Sequence, residues 1–198
     1  MNLKTRIIKI KGDWPEIMND CRATVGKEPL EKEPSIRFKK KILLAEHSPI
    51  RDMSFKWFWE GIPHWVGVHW VRHKWEKFVR TQREDRAGIS RHELRQDEPQ
   101  NFTGEANIQH LIDTARKRLC WQASPETREY MEDLKMAIHE IYPEIADVLV
   151  PNCIYRCGCP ELESCGLCRN MVLTQDIQYR YDHYNKHFYA RKEKEYGV

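Results

Sequence analysis

Histidine and arginine side chains are concentrated in one stretch of the chain, residues 61–86. Four of its residues recur at the spacing of one helix face; they are Trp65, His69, Arg72 and Glu76. His73 follows His69 by one helical turn, so imidazole and guanidinium groups are expected together at the end of one helix. Because arginine binds phosphate or carboxylate through two parallel hydrogen bonds, the stretch predicts a site for an anionic ligand. The alternative is a core helix whose polar edge is solvated.

The composition is typical of a globular protein. The 198 residues are 40% hydrophobic and include 7 tryptophans, which suffices for the core of one compact domain. The sequence has no apolar run of membrane-spanning length and no recognisable signal peptide, so we expect a soluble, cytoplasmic protein without membrane contacts. A net charge of +3 fits a local anion site and does not favour general nucleic-acid binding.

Apolar periodicity predicts a mixture of strands and helices. The predicted strands are residues 7–11 and 53–59, and the predicted helices are residues 14–23, 35–46, 107–121, 124–141 and 174–196, besides the helix that starts at Pro63. Ser124 is a favourable N-cap, with Pro125 at the first helical position. We expect a main domain at residues 1–150, a cysteine-rich segment at 151–172 and a C-terminal helix at 173–198.

Five cysteines lie between Cys153 and Cys168 in the pattern C-x3-C-x-C-x5-C-x2-C. Thiolates spaced this closely can surround one zinc ion tetrahedrally, and the predicted ligands are Cys157, Cys159, Cys165 and Cys168. The alternatives are free or buried thiols, and, less favoured, an iron–sulfur cluster. Without a secretory signal, a disulfide framework is not expected.

The C-terminal helix carries an aromatic stripe next to basic residues. The stripe consists of Ile177, Tyr181, Tyr184 and Phe188. Aromatic and basic side chains together could bind single-stranded nucleic acid. A packing or subunit-contact face is the favoured interpretation, because an apolar stripe at helical spacing normally serves that purpose.

A set of short motifs occurs in a fixed order along the chain. They are Cys21-Arg22-Ala23-Thr24, His47-Ser48-Pro49, Arg72-His73-Lys74, Ser90-Arg91 with Leu94, Asn107, Arg118, and Ala123 with Glu126 and Arg128. In this order and spacing, residues 5–145 resemble the flavin-dependent thymidylate synthases. The chain departs from that family at Lys74, where the family has arginine, and in the loop up to Arg86, which lacks the family's Ser-x-Asn-x-x-Ser core.

The resemblance implies a fold and an activity. The implied fold is α+β, with a small antiparallel sheet packed with several helices. The implied activity is reductive methylation of dUMP to dTMP, with FAD as cofactor and with methylenetetrahydrofolate and NADPH as co-substrates. In that family FAD lies between the subunits of a homotetramer, and no enzyme cysteine attacks the base, so Cys120 is not expected to be a nucleophile.

The resemblance also assigns roles to individual residues. FAD would be bound by His47, Arg72, His73, Asn107 and Asp113. The nucleotide would be bound by His69, Gln82, Arg86, Arg91 and Arg118, of which Arg86 and Arg118 would be catalytic. A preorganised donor such as Arg118 can stabilise charge that develops on a pyrimidine oxygen when hydride reaches the ring.

Three alternatives to this assignment remain. The altered loop before Arg86 is compatible with modification of another pyrimidine nucleotide on the same frame. The cysteines and the basic aromatic tail are compatible with a zinc-bearing nucleic-acid-binding module. The missing serines are compatible with a folded homologue without activity.

Overall fold

The computed structural model describes residues 4–170 and 174–197. The strands are β1 (Thr5–Lys11), β2 (Ser54–Pro63), β3 (Glu76–Val79) and β4 (Pro99–Asn107). The helices are α1 (Trp14–Ala23), α2 (Ile36–Leu44), α3 (His64–Trp70), α4 (Glu84–Ala87), α5 (Ile108–Arg118), α6 (Pro125–His139), α7 (Pro143–Asp147), α8 (Asn152–Arg156) and α9 (Ile177–Tyr196), with short 3₁₀ turns at Ser48–Arg51 and Leu167–Asn170. Within these residues, no helix is both long and apolar enough to cross a membrane.

The four strands form one sheet in the order β1-β2-β4-β3, and every neighbouring pair is antiparallel. Strand β2 pairs with β1 on one side and with β4 on the other, and its alternate residues Phe55, Trp57 and Trp59 point into the core and are almost fully buried. Period-two alternation produces this arrangement, because successive side chains of a strand point to opposite faces. The predicted α+β fold with a small antiparallel sheet is therefore confirmed.

Strand β4 was not predicted from the sequence. Its buried residues alternate correctly, but Gln100 and Gly104 occupy two of the four buried positions, so the apolar signal is weak. Gly104 pairs with Trp57 of β2, and a Cβ atom at position 104 would lie 2.3 Å from the Trp57 ring. The absence of a side chain at this position lets the indole lie across the strand.

The long helix predicted from residue 63 onward is wrong in its second half. Helix α3 ends at Trp70, and after a turn the chain forms strand β3 beside β4. The cause is Trp75, which is buried with its ring centroid 5.0 Å from that of Trp57. Burial of this indole and the backbone hydrogen bonds to β4 outweigh the local helical pattern. Glu76 is therefore in a strand, and Arg72 is in the turn before it.

Two side-chain caps fix the starts of the helices that carry the site. The Asn107 Oδ1 accepts a hydrogen bond from the His110 backbone N–H at 2.9 Å, and the Ser124 Oγ accepts one from Thr127 at 3.4 Å. Each cap satisfies a backbone donor that the helix itself leaves unpaired. The helix predicted at residues 107–121 ends at Arg118, and the helix predicted at 124–141 ends at His139.

Helix α9 packs its aromatic stripe inward. Tyr181, Tyr184 and Phe188 are each less than 8% exposed and belong to the same core as the sheet. These rings are not accessible to stack on bases, so the prediction of a packing face is confirmed and the nucleic-acid interpretation of the stripe is wrong.

Lys135 of α6 is fully buried under α9. Its Nζ donates to the Leu149 carbonyl at 2.8 Å and to the Asn185 Oδ1 at 2.5 Å, and it lies 4.6 Å from the centroid of the Phe188 ring. Desolvation lowers the pKa of Lys135 to about 7, although Asp147 and Glu132 act in the opposite direction.

The lowered pKa of Lys135 predicts a pH-dependent stability. Above pH 7 the unfolded state retains a proton that the folded state has lost, so the free energy of unfolding should rise with pH. Between about pH 7 and the ordinary lysine pKa of 10.5, the slope of the free energy of unfolding approaches about 1.4 kcal/mol per pH unit. Urea titrations of the wild type and Lys135→Met at several pH values measure it. Identical pH slopes in the two proteins would show that Lys135 does not titrate in this way.

Candidate active site

Arg118, the last residue of α5, is the centre of the site. Its Nε donates to the Nε2 atom of His73 at 2.8 Å, and its Nη2 donates to the backbone carbonyl of His69. The guanidinium also lies 5.8 Å from the centroid of the Trp70 ring. The structure thus brings together three residues predicted from the sequence, although they lie on α3, in the following turn and on α5.

The tautomer of His73 follows from its hydrogen bonds. Since Nε2 accepts from Arg118, the ring proton is on Nδ1, which faces the Thr114 hydroxyl at 3.4 Å. The Thr114 hydroxyl donates to the His110 carbonyl at 2.6 Å and accepts from the Trp75 indole N–H at 3.2 Å. Burial, followed by the charges of Arg118 and Lys77, lowers the pKa of His73 to about 4, so the ring is neutral at neutral pH.

Replacing Thr114 by valine should destabilise the protein by about 1–3 kcal/mol, because the Trp75 N–H and the His73 Nδ1–H lose their acceptor. Serine keeps the hydroxyl, so Thr114→Ser is the matched control and should retain most of the stability. Chemical denaturation of both variants measures the difference. Equal stability of the two variants would contradict the proposed network.

His69 is held by the start of helix α6. Its Nδ1 lies 2.7 Å from the Thr127 hydroxyl, which in turn accepts from the Ser124 hydroxyl at 2.8 Å. This contact fixes the orientation of the imidazole ring at the start of α6. Burial, Arg118 and Arg72 lower the pKa of His69. A neutral imidazole therefore lies beside two guanidinium groups.

The site is electrostatically positive. Burial and the neighbouring Arg72 lower the pKa of Arg118, which nevertheless stays protonated at neutral pH. Both hydrogen-bond partners of Arg118 are neutral. Among the residues that the structure describes, no carboxylate forms an ion pair with it. Lys77 donates to the carbonyls of His73 and Trp75 and so fixes the turn after α3. An uncompensated guanidinium in a half-buried position is suitable for an anionic group.

The other residues predicted to bind the cofactor are on α5, in the turn after α3 and at the 3₁₀ turn. Arg72 is exposed in the turn, near enough for its charge to affect both Arg118 and His69. Asn107 uses its Oδ1 to cap α5. Asp113 is exposed and contacts Gln109 and Arg116. His47 is exposed at the start of the 3₁₀ turn, with its Nδ1 3.7 Å from the sulfur of Cys21.

The remaining residues predicted to bind the nucleotide lie on the segment between β3 and β4. The Nε2 atom of Gln82 lies 3.2 Å from the Nδ1 atom of His64, in a small pocket apart from Arg118. Arg86 on α4 is exposed, and exposed Arg91 contacts Glu84 through its backbone N–H at 2.9 Å. Within the part of the chain that is described, Arg86 and Arg91 are not hydrogen-bonded to Arg118 or His73.

Sequence reasoning missed the hydroxyl groups that orient the two histidines. Thr114 lies on the buried side of α5 among apolar residues, and a polar residue in such a stripe is the signal that could have identified it. Thr127 follows the cap Ser124 by three residues, which is a common capping arrangement and therefore not a specific signal.

The cysteines of the C-terminal third are free thiols. Across residues 4–170 and 174–197, no group of three or more His, Cys, Asp or Glu side chains is already arranged to hold a metal. Cys157, one of the four predicted ligands, is turned toward the Thr174 carbonyl at 3.2 Å. Burial raises the pKa of Cys153 to about 12, and the nearby sulfurs of Cys168 and Cys120 act in the same direction.

Comparison with known proteins establishes the fold. No protein-family model matches the sequence, and no curated protein matches it. A solved structure with a similar fold is the UMP/dUMP methylase PolB from Streptomyces cacaoi, bound with 5-Br dUMP. The TM-score is 0.60 at 11% sequence identity, and the match covers 74% of this chain and 94% of that one. At this identity the likeness supports the α+β architecture over most of the chain.

Proposed function

We propose that the chain is a flavin-dependent thymidylate synthase, which methylates dUMP reductively to dTMP with methylenetetrahydrofolate and NADPH. The observation that carries this proposal is the cluster of Arg118, His73 and His69. The cluster presents a fixed, uncompensated cation and a neutral imidazole at one point of the fold. The likeness of this fold to a structure described as a UMP/dUMP methylase adds support.

The residues of the site fit an anionic, hydrogen-bond-accepting cofactor such as FAD. Arg72 is exposed and near enough to affect the ionisation of Arg118, and its guanidinium is proposed to bind the pyrophosphate. His47 and Asn107 lie at the starts of the 3₁₀ turn and of α5, two elements that contact each other, and are proposed as further polar contacts. When bound, FAD would supply the hydride chemistry that the side chains themselves lack. Because both ring nitrogens of His73 already have partners, its role in the proposal is to orient Arg118.

Two donors are proposed to act on the nucleotide. Arg118 would donate to a pyrimidine carbonyl oxygen and stabilise the charge that develops there. We propose that the Thr127 hydroxyl donates to the Nδ1 atom of His69, which places the ring proton on Nε2 and makes it a second donor. Both donors are held by other parts of the protein before any ligand arrives, which is the arrangement that favours a transition state.

Arg86 and Arg91 are proposed to bind the nucleotide phosphate across a subunit boundary. Both side chains are exposed and are separate from the Arg118 cluster within one chain. A homotetramer in which one subunit's α4 segment faces another subunit's Arg118 would bring the two groups together. Light scattering of the purified protein tests this part; a monomer with full activity would overturn it.

Flavin binding and NADPH oxidation test the proposed function. Purified protein incubated with FAD should retain the flavin on gel filtration and should oxidise NADPH when dUMP and methylenetetrahydrofolate are present. Protein that stays colourless after incubation with FAD, and that leaves NADPH unchanged, would overturn the proposal.

A second candidate is methylation of another pyrimidine nucleotide on the same frame. It is favoured by the short helix α4 and the surrounding exposed loop, which replace the segment where the resembling family has its Ser-x-Asn-x-x-Ser motif. Product analysis with dUMP, UMP and dCMP in parallel separates the candidates. Efficient formation of dTMP alone would remove the second one.

A further inference from the structure

Glu46, the residue before His47, has a backbone conformation that normally belongs to glycine. Its φ angle is 48°, in the left-handed region, where the Cβ atom of an L-amino acid is crowded by the backbone. In the described part of the chain, the other positive φ angles belong to glycines and to Cys157. A strained residue of this kind persists only where the surrounding structure holds it, so the contacts of Glu46 must account for it.

The strained conformation lies at the C-terminal end of helix α2. The Glu46 N–H donates to the Leu43 carbonyl at 3.1 Å, and the His47 N–H donates to the Ile42 carbonyl at 3.0 Å. These two bonds form the Schellman motif that ends many helices, in which glycine usually occupies the left-handed position. A glycine at position 46 would satisfy the same backbone without strain. The reason for a glutamate must therefore lie in its side chain.

The Glu46 carboxylate joins the end of α2 to helix α5. One of its oxygens forms an ion pair with Arg116, and the other accepts a hydrogen bond from the Gln109 side chain at 2.7 Å. The side chains of Glu46 and Arg116 are only 20% and 15% exposed, so solvent screens the pair less than it screens a surface pair. Both carboxylate oxygens are thus bound by the same helix.

Arg116 is itself held firmly in place. Its guanidinium carbon lies 3.6 Å from the centroid of the Tyr155 ring on α8, which is a cation–π contact. Burial acts against the charge of Arg116, but the hydrogen bond and the charge of Glu46 outweigh burial and raise the pKa of Arg116. Arg116 therefore stays charged and gives the Glu46 carboxylate a fixed partner.

The position of His47 follows from this turn. The His47 N–H is used by the helix end, and the His47 carbonyl accepts from the Ile50 N–H at 3.0 Å. The imidazole is exposed, with its Nδ1 atom 3.7 Å from the sulfur of Cys21. Since Glu46 fixes the residue directly before His47 on α5, the imidazole is tied to the helix that ends in Arg118.

We propose that Glu46 is a positioning residue of the cofactor site, which holds His47 in place on α5 by binding Arg116 and Gln109. This inference rests on the proposed function, in which His47 binds FAD. A histidine held in place before the flavin arrives does not have to be ordered on binding, which improves affinity. The observation that carries the inference is the use of a strained glutamate, bound by α5, where glycine would suffice for the backbone.

Titration with FAD, followed by flavin fluorescence, tests the proposal on two variants. Glu46→Gly and Glu46→Ala both remove the carboxylate, but only glycine fits the left-handed backbone without strain. Glu46→Ala should therefore melt about 2–8 °C below Glu46→Gly. Both variants should nevertheless bind FAD about 10-fold more weakly than the wild type, because each must order His47 on binding.

Two further variants complete the FAD titration. Glu46→Gln keeps a hydrogen-bonding group for α5 and should recover part of the affinity. Glu193→Gln removes an exposed glutamate on α9 and is the matched control, which should bind FAD like the wild type. Wild-type affinity in Glu46→Gly would overturn the proposal. So would a loss of affinity that follows the melting temperature and is larger in Glu46→Ala than in Glu46→Gly, because that result indicates a purely structural role.

The NMR signal of the His47 imidazole separates this inference from the proposed function. A wild-type protein that binds no FAD would refute the function, but the position of His47 could still be measured. In protein labelled with ¹³C-histidine, the His47 signal can be assigned from its loss in His47→Gln. It should shift in Glu46→Gly and stay unchanged in Glu193→Gln. An unchanged His47 signal in Glu46→Gly would show that Glu46 does not position this residue.

Discussion

Replacing Arg118 by lysine is expected to lower kcat/KM for nucleotide methylation by about 10²–10³-fold, the cost of removing one preorganised donor. Lysine keeps the positive charge, but it cannot hold both the His73 ring nitrogen and the His69 carbonyl in the geometry of the guanidinium fork. Steady-state kinetics with dUMP as the varied substrate measures the effect, and far-UV circular dichroism checks that the variant is folded.

Arg95→Lys is the matched control for Arg118→Lys. Arg95 is exposed and pairs only with its neighbour Asp97 among the residues that the structure describes, at 2.8 Å. Its substitution should leave the kinetics unchanged. If Arg118→Lys retained full activity, Arg118 could not be the group that stabilises the transition state.

Replacing Gly104 by alanine is expected to destabilise the protein by about 3 kcal/mol, at the upper end of the usual cost of overpacking a core. The new Cβ would lie 2.3 Å from the Trp57 ring. That ring cannot move freely, because it packs between Trp59 at 5.6 Å and Trp75 at 5.0 Å between ring centroids. Urea-induced unfolding followed by tryptophan fluorescence measures the loss.

Gly158→Ala is the control for the glycine substitution. No atom lies within 4 Å of a Cβ at this position. The stability of the Gly158→Ala variant should therefore stay within about 0.5 kcal/mol of the wild type. Equal stability of the two glycine variants would show that the Trp57 contact does not limit the space at position 104.

The core of the fold could be predicted because its signals are local. The alternation of Phe55, Trp57 and Trp59 identifies a strand, and the caps Asn107 and Ser124 mark two helix starts. In each case one or two neighbouring residues decide the structure, through strand pleating or through a satisfied backbone donor.

The parts that could not be predicted depend on partners distant in the sequence. Strand β3 forms because β4 is available for pairing and because Trp75 enters the core. Neither cause can be recognised within residues 71–79 alone. Likewise, a glycine such as Gly104 normally weakens a strand, so the local sequence argues against β4. Its presence is explained only by the Trp57 ring that packs over it.

In the candidate site, too, some residues could be predicted from the sequence and others could not. The order of motifs along the chain predicted that Arg118, His73 and His69 belong to one site, and the structure places them in contact. The hydroxyls of Thr114 and Thr127, which contact the two imidazole rings, have no sequence pattern of their own. Arg86 and Arg91 are not hydrogen-bonded to Arg118 or His73 within the described residues, and their part in the site depends on the proposed homotetramer.

Mass spectrometry of the nucleotide product is the most direct test of the account. Protein supplied with FAD, NADPH, methylenetetrahydrofolate and dUMP should convert dUMP to dTMP, and Arg118→Lys assayed in parallel should form dTMP far more slowly. Unchanged dUMP after prolonged incubation with flavin-loaded wild-type protein, or equal dTMP formation by the variant, would contradict the assignment of Arg118 as the centre of a nucleotide-methylating site.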